Sequence, residues 1–173
     1  MKPIEILQGK WLQHPVHAAI VHVPLALWIG AAVIDVASIF YPLTIPMVHL
    51  ALCCVAVGLA GALIAIPTGI ADWLPIKPDR PAKRLGWYHL ALNGAATLLW
   101  LANFVVRIDA LDEVDPIPTG VVVLSILGAA TVLVSGYLGS LLAFDRGVSV
   151  ARFSKKKWRA IAEKSGGNLP AED

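Results

Sequence analysis

Histidines gather near one end of the first and third apolar stretches of this chain. His14, His17 and His22 lie in the run HPVHAAIVHVP, and His89 lies near the start of a later apolar stretch. Ionisable side chains are costly inside a bilayer, so each of these residues is a candidate for function. His22 lies about six residues into the first stretch and His89 about four into the third, a difference of roughly 3 Å in depth. We therefore expect His22 or His17 to face His89 across a helical bundle.

The first chemistry that such a layer could support is haem binding. A b-type haem needs two neutral imidazoles from different helices, each with an acceptor for its outer ring nitrogen. His22 or His17 together with His89 would supply the two haem-iron ligands. Asp72 ends the second apolar stretch and Asn93 follows His89 by one helical turn, so both are expected to border the cofactor. Cationic side chains for the haem propionates follow at Arg80, Lys83 and Arg84.

Two other chemistries remain open on the same residues. A divalent metal ion would need three or four ligands, for which His14, His17, His89 and Asp72 are available. A metal or proton transporter would use the same histidines together with a second polar station across the membrane. Asp35 and His49 could form that station, or they could be a simple ion pair.

A structural interpretation also stands beside these chemistries. Histidines near helix starts can cap the helix or reach back to the membrane interface, and His14, followed by Pro15, suits such a capping role. Under this interpretation the protein would be a non-catalytic membrane subunit or an assembly factor of a larger complex.

The composition indicates that these residues are positioned by membrane-spanning helices. Hydrophobic residues make up 57% of the 173 positions and charged residues only 15%, and the mean hydropathy is +0.71. A water-soluble domain of this composition would expose far more apolar surface than is usual. We therefore expect an integral membrane protein in contact with the lipid bilayer.

Four apolar runs are long enough to cross the bilayer, since a spanning helix needs about 20 apolar residues. They lie near residues 16–40, 46–74, 85–106 and 118–144. Short connections favour antiparallel neighbours, so the predicted fold is all-α, a four-helix up-down bundle. Pro24 removes the hydrogen bond to the Ile20 carbonyl, which predicts a kink close to His22.

The distribution of charge predicts an orientation. With four spans, the two termini and the second connection share one side, which holds 13 of the 14 Lys and Arg residues. Only Arg107 falls on the other side, with Asp109, Asp112, Glu113 and Asp115. The positive-inside rule then places both termini in the cytoplasm. Together with the bacterial family that the chain resembles, described below, this orientation predicts a multi-pass protein of the bacterial inner membrane.

The carboxyl-terminal residues differ from the rest in composition. Residues 1–147 form the predicted transmembrane domain, and residues 148–173 form a basic cytoplasmic tail. The basic residues Arg152, Lys155, Lys156, Lys157 and Arg159 surround Phe153 and Trp158. Such a segment suits either an anionic membrane surface or a solvated tail that sets the topology.

Motifs of soluble enzymes are missing from the sequence. The chain contains no Walker loop, dinucleotide fingerprint, HExxH zinc motif or nucleophile elbow, and nothing in it indicates nucleic-acid binding. Cys53 and Cys54 are adjacent within an apolar run, so they cannot form a spaced metal or redox motif. Whether the protein is an enzyme is left open by the sequence.

Several of these segments together resemble a known family. The runs HPVHAAIVHVPLALW, GIADW, WYHLALN and SGYLGSLLAFDRGVSV resemble the bacterial membrane-protein family Domain of Unknown Function 2231. The positions that match the family pattern are His14, His17, His22, Asp72, His89, Gly136, Gly139 and Gly147. Ser140 and Phe144 depart from it, standing where members often carry glycine and tyrosine.

The resemblance bears on function through the family's context. Some members are joined to Rieske iron-sulfur or cytochrome c domains, which implies a respiratory setting. This context favours haem over the other two chemistries. The resulting hypothesis is a cytochrome-b-like electron-transport subunit with haem b between helices one and three near the cytoplasmic side. Its expected partners are a quinone and other subunits of a respiratory or other membrane complex.

Overall fold

The computed structural model describes residues 1–12, 14–109, 117–149 and 155–166, the side chains of 155–159 excepted. In these ranges the chain is mostly helical and has no β-strand. Four helices are long and apolar enough to cross a membrane: Val16–Ala37, Ile45–Trp73, Pro81–Asp109 and Thr119–Asp145. The prediction of an all-α protein with four membrane-spanning helices is therefore confirmed.

The helices are named in chain order. A short α1 (Pro3–Leu7) and a 3-10 turn (Lys10–Leu12) precede the bundle, and α7 (Lys155–Lys164) follows it. The bundle itself consists of α2 (Val16–Ile20), α3 (His22–Ala37), α4 (Ile45–Trp73), α5 (Pro81–Asp109) and α6 (Thr119–Ser140), which continues as a π-helical segment (Leu141–Asp145). The first span ends at Ala37, sooner than the apolar run suggested. The third extends beyond its apolar run at both ends, because Pro81 suits a first turn and Arg107 is buried inside the bundle.

Two prolines have opposite effects on their helices. The first span is divided at Val21, between α2 and α3, as expected where Pro24 cannot donate a hydrogen bond to the Ile20 carbonyl. Pro67, in contrast, lies inside the continuous α4. The hydroxyl of the next residue, Thr68, donates to the carbonyls of Ile64 at 3.0 Å and Ala65 at 2.8 Å. Such side-chain bonds compensate for the missing backbone donor in a membrane helix.

The four spans pack as a square in which sequence neighbours are also neighbours in space. α3 contacts α4 and α6, and α5 contacts the same two helices from the opposite corner. α3 and α5 therefore face each other across the centre, where the rings of Trp28 and Trp100 stack with centroids 5.6 Å apart. The interior is otherwise made of small residues such as Ala31, Ala51 and Ala96, which allow helix backbones to approach closely.

The outside of the bundle is apolar, as a lipid-facing surface should be. Each span exposes at least one large aliphatic side chain over most of its area: Val33, Leu63, Leu98 and Leu133. Water would penalise an apolar surface of this extent, whereas the hydrocarbon core of a bilayer accommodates it.

The buried positions of the first two spans recur in the last two. On α3 they include Pro24, Trp28, Ala31 and Asp35, and on α5 they include Ala96, Trp100, Asn103 and Arg107, each 72 positions later. On α4 they include Ala51, Val55, Gly58, Ala62 and Ala65, and on α6 they include Val121, Ser125, Gly128, Val132 and Ser135, each 70 positions later. The two helical hairpins therefore present matching faces to the centre.

Candidate functional site

His17 is held against the second span by a hydrogen bond. It lies in α2, and its Nδ1 is 2.9 Å from the backbone carbonyl oxygen of Ala65 on α4. A carbonyl oxygen can only accept, so Nδ1 must carry the proton. In a neutral imidazole the lone pair is then on Nε2, which has no hydrogen-bond partner among the described residues. His17 thus presents the nitrogen that a metal ion would use.

His89 is held in the same way on the other hairpin. Its Nδ1 donates to the carbonyl oxygen of Ser135 on α6 over 2.8 Å, and the Ser135 hydroxyl lies 3.1 Å from the same nitrogen. On its other side, the Asn93 amide donates to Nε2 over 3.1 Å and to the His89 carbonyl over 2.8 Å. His89 therefore has hydrogen bonds at both ring nitrogens.

These two histidines approach each other across the bundle, near one of its ends. Their ring centroids are 6.4 Å apart and the ring planes are almost perpendicular, at 87°. We call this end of the bundle the histidine end. The first span begins here at Val16, and the fourth span ends here at Asp145. The expectation that His17 or His22 faces His89 is thus met by His17, although the arrangement by itself does not test what the pair binds.

Glycines make room for both imidazole rings. A Cβ atom on Gly69 of α4 would lie 2.7 Å from Cε1 of His17, and one on Gly139 of α6 would lie 3.0 Å from Cε1 of His89. Carbon atoms in van der Waals contact are normally about 3.5–4.0 Å apart. Each ring therefore occupies space that only glycine leaves beside the helix backbone.

The other predicted site residues lie outside this pair or at its edge. His22 is exposed, and its Nδ1 lies 3.3 Å from the Ala19 carbonyl oxygen of the adjoining α2. His14 is exposed as well. In the described ranges, no group of three or more His, Cys, Asp or Glu side chains is arranged to hold a metal ion. The metal set suggested by the sequence, with Asp72 as a fourth ligand, is therefore not assembled.

Asp72 lies at the mouth of the histidine end, about one turn beyond Gly69. It lines a cavity of about 530 Å³ together with Arg80 and Arg146. Its Oδ2 atom is buried and has no hydrogen-bond partner in the described part of the chain. Lys83, by contrast, is engaged, because its Nζ donates to the carbonyls of Trp73 and Leu74 at the end of α4. Arg84 is likewise bonded, through Nε, to the Tyr88 hydroxyl.

A second polar cluster lies at the opposite end, which we call the ion-pair end. Asp35 on α3 is fully buried, and Arg107 on α5 is 3% exposed. Nη2 of Arg107 donates to Oδ2 of Asp35, which also accepts from the Ser125 hydroxyl on α6. Asn103 joins the cluster by donating to Ser125 over 2.8 Å and accepting from Nε of Arg107 over 3.3 Å. Four polar side chains from three helices are thus joined in one network. Oδ1 of Asp35 and Nη1 of Arg107 are buried without a hydrogen-bond partner among the described residues.

This cluster corrects two expectations from the sequence. Asp35 does not pair with His49, which is exposed at the start of α4. Arg107 does not belong to a connection outside the membrane, since it is a buried part of α5. The signal that could have identified it is the recurrence at 72 positions, which relates Arg107 to Asp35 as it relates His89 to His17.

The four apolar helices define a multi-pass helical membrane protein in which two half-buried histidines face each other across the bundle. The chain belongs to the family described as predicted membrane protein (DUF2231), whose family model matches residues 13–152. This confirms the resemblance seen in the sequence. No curated protein and no solved structure matches the chain.

Proposed function

We propose that the protein is a membrane electron-transfer subunit that holds one b-type haem between His17 and His89. The observation that carries this proposal is the pair itself: two imidazoles from different spans, 6.4 Å apart, each with Nδ1 bonded to a backbone carbonyl. Quinone as the electron donor or acceptor, and neighbouring subunits of a membrane complex, belong to the same proposal.

The donor groups agree with the cofactor in number and in the protonation of Nδ1. With metal–nitrogen bonds of about 2.0 Å, two imidazoles on one metal have ring centres at most roughly 6–6.5 Å apart. The observed separation of 6.4 Å is close to that limit. Metal-bound histidines almost always donate their other ring N–H to a carbonyl or carboxylate, which fixes the tautomer and raises the basicity of the ligand. Ala65 and Ser135 provide such carbonyls here. For His89 to bind iron through Nε2, the hydrogen bond from the Asn93 amide to Nε2 must break. The bond from the same amide to the His89 carbonyl can remain.

The surroundings of the pair suit a one-electron carrier. Haem iron held by two histidines would supply one-electron redox chemistry at this site. The residues of this chain would hold the iron through two nitrogens and exclude water from it. Arg80, which has no ion pair among the described residues and lines the neighbouring cavity, is the best-placed cation for a propionate. The excess of Lys and Arg on this side supports placing the site towards the cytoplasm.

A second candidate function rests on one contact. The Asn93 amide already bonds Nε2 of His89, so that His89 is satisfied without any ligand. In this alternative the two histidines link the spans, and the chain is a non-catalytic subunit or assembly factor. A buried polar group that is fully hydrogen-bonded needs no further role.

The deciding experiment is an optical spectrum of the protein, oxidised and dithionite-reduced, purified from cells supplied with a haem precursor. The proposal predicts about one haem per chain and the sharp reduced bands of a six-coordinate b-type haem. Iron analysis and a pyridine haemochrome assay measure the stoichiometry. A folded protein that contains neither haem nor iron would overturn the proposal and favour the structural role.

A further inference from the structure

Three residue pairs meet in the centre of the bundle, and all three show one sequence relation. The partners of each pair are 72 positions apart: His17 with His89, Trp28 with Trp100, and Asp35 with Arg107. Equivalent residues of two similar bodies touch each other only near a two-fold axis that relates the bodies. Because α3 and α5 run in the same direction, this axis lies along the membrane normal, as in parallel membrane repeats.

The glycines that receive the central rings obey a matching relation. A Cβ atom on Gly58 would collide with the indole of Trp28, and one on Gly128 would collide with the indole of Trp100. Gly69 and Gly139 do the same for the two histidines. In both hairpins the two glycines are 11 positions apart, as are the histidine and the tryptophan. Each ring thus packs against a glycine of its own hairpin.

We propose that the bundle is an internal duplication of one helical hairpin, and that the Asp35–Arg107 ion pair selects the pairing of the first hairpin with the second. The first hairpin is α2 to α4 and the second is α5 to α6. Their central faces match in shape, so shape alone would also permit two first hairpins, or two second hairpins, to associate.

The charges remove that ambiguity. Two first hairpins would bring two Asp35 carboxylates together on the axis, and two second hairpins would bring two Arg107 guanidinium groups together. Like charges buried without partners are strongly unfavourable, and such repulsion is an effective source of specificity. Only the mixed pairing places Arg107 on Asp35.

The second hairpin has further polar residues that suit this mixed pairing alone. Asn103 and Ser125 stand where the first hairpin has Ala31 and Val55. They bond Arg107 and Asp35. The first hairpin therefore supplies one acceptor in apolar surroundings, and the second supplies the donors.

Charge reversal in the full chain tests the proposal. Asp35→Arg or Arg107→Asp alone should lower the melting temperature in detergent by roughly 10 °C or more. The double reversal should recover at least half of that loss. The matched control is reversal of the exposed Lys10–Glu5 pair, whose atoms are 3.0 Å apart, and which should leave the melting temperature unchanged. A double reversal no more stable than the worse single variant would overturn the proposal.

If the charge-reversed chains do not accumulate, a double-mutant cycle with neutral substitutions tests the same coupling. Asp35→Asn and Arg107→Gln should each lower the melting temperature, and their combination should lower it by clearly less than the sum. Additive losses would show that the two side chains are not coupled and would overturn the proposal.

Co-expression separates selection of a partner from simple stabilisation. The Asp35→Arg chain and the Arg107→Asp chain, carrying different affinity tags, should co-purify as a swapped dimer that contains two mixed pairs, whereas two differently tagged wild-type chains should not. If the double reversal restores stability but the single variants do not co-purify, the pair stabilises the bundle without selecting its partner, and the selection proposal fails.

Discussion

The histidine end and the ion-pair end use equivalent positions in opposite ways. At the ion-pair end, Asp35 and Arg107 bond each other directly. At the histidine end, His17 and His89 each bond a carbonyl of their own hairpin, and no hydrogen bond joins the two rings. The Asp35–Arg107 pair is bonded directly, whereas each imidazole is held through its Nδ1 by its own hairpin.

Under the proposed function, the ion-pair end is structural and the histidine end would hold the ligand. Polar groups that bond one another across helices contribute to the stability and specificity of a bundle, as Asp35, Arg107 and Ser125 do. Polar groups that are oriented by neighbours but not joined to each other resemble the preorganised shell of a metal site. Predictions that separate stability from ligand binding therefore test whether the two ends differ in this way.

Under the proposed function, the largest expected effect is loss of the cofactor from the histidine end. His17→Ala and His89→Ala should each abolish the reduced haem bands, because each removes one of the two proposed iron ligands. His22→Ala and His49→Ala are matched controls, since both side chains are exposed, and should retain wild-type haem content. Haem per folded chain is the measurement. Equal content in all four variants would sink the assignment of the ligands.

The next effect concerns the ion-pair end. Arg107→Leu leaves Asp35 buried without its partner and should lower the free energy of unfolding by about 3–5 kcal/mol. His17→Ala in haem-free protein loses one hydrogen bond and should cost only about 1 kcal/mol. Denaturation in detergent, followed by circular dichroism, compares the two variants. The contrast between the two ends would be wrong if His17→Ala proved the more damaging change.

Substitution of glycine should act on the ligand more than on the fold. Gly69→Ala forces the ring of His17 to move and should weaken haem binding about 10-fold or more, as loss of a supporting contact does. Gly139→Ala should have a smaller effect, because its Cβ meets His89 at the longer distance. Gly30→Ala and Gly94→Ala are the controls, since a Cβ atom there meets nothing within 4 Å. Haem titration of the apoprotein measures all four variants, and equal affinities would contradict a role for these glycines.

The smallest expected effect is that of Asn93. Asn93→Ala removes the hydrogen bond that competes for Nε2 of His89. Haem content should be unchanged, while the haem-free protein should lose about 1 kcal/mol of stability. A large loss of haem in this variant would instead mean that the Asn93 amide supports the bound cofactor.

The sequence predicted the helices better than their inward faces. The four apolar runs and the break caused by Pro24 follow from local composition and covalent geometry, and both are present in the structure. The choice between His17 and His22 as the partner of His89, by contrast, was left open by the sequence. These two residues are five positions apart on one span, so the rotation of that span about its axis decides between them, and this rotation is set by packing against α4 and α6.

Arg107 is a second residue whose position could not be predicted from local sequence. Its charge and its place beside an acidic stretch suggested a position outside the membrane. The cost of burying it is offset by Asp35 on α3 and by Asn103, one turn earlier on α5. Ser125 on α6 in turn donates to Asp35. Only Asn103 is close in sequence, so no local pattern contains the whole compensation, although the recurrence at 72 positions indicates it.

What the sequence alone determined is membrane insertion, the number of spans and the family, because hydropathy and motif spacing are properties of contiguous residues. The tertiary structure alone decided that His17 and not His22 faces His89, that Asp35 holds Arg107, and that two matching hairpins surround one axis. These outcomes depend on how helices rotate and pack against one another, since a buried polar side chain is stable only where another segment supplies its partner.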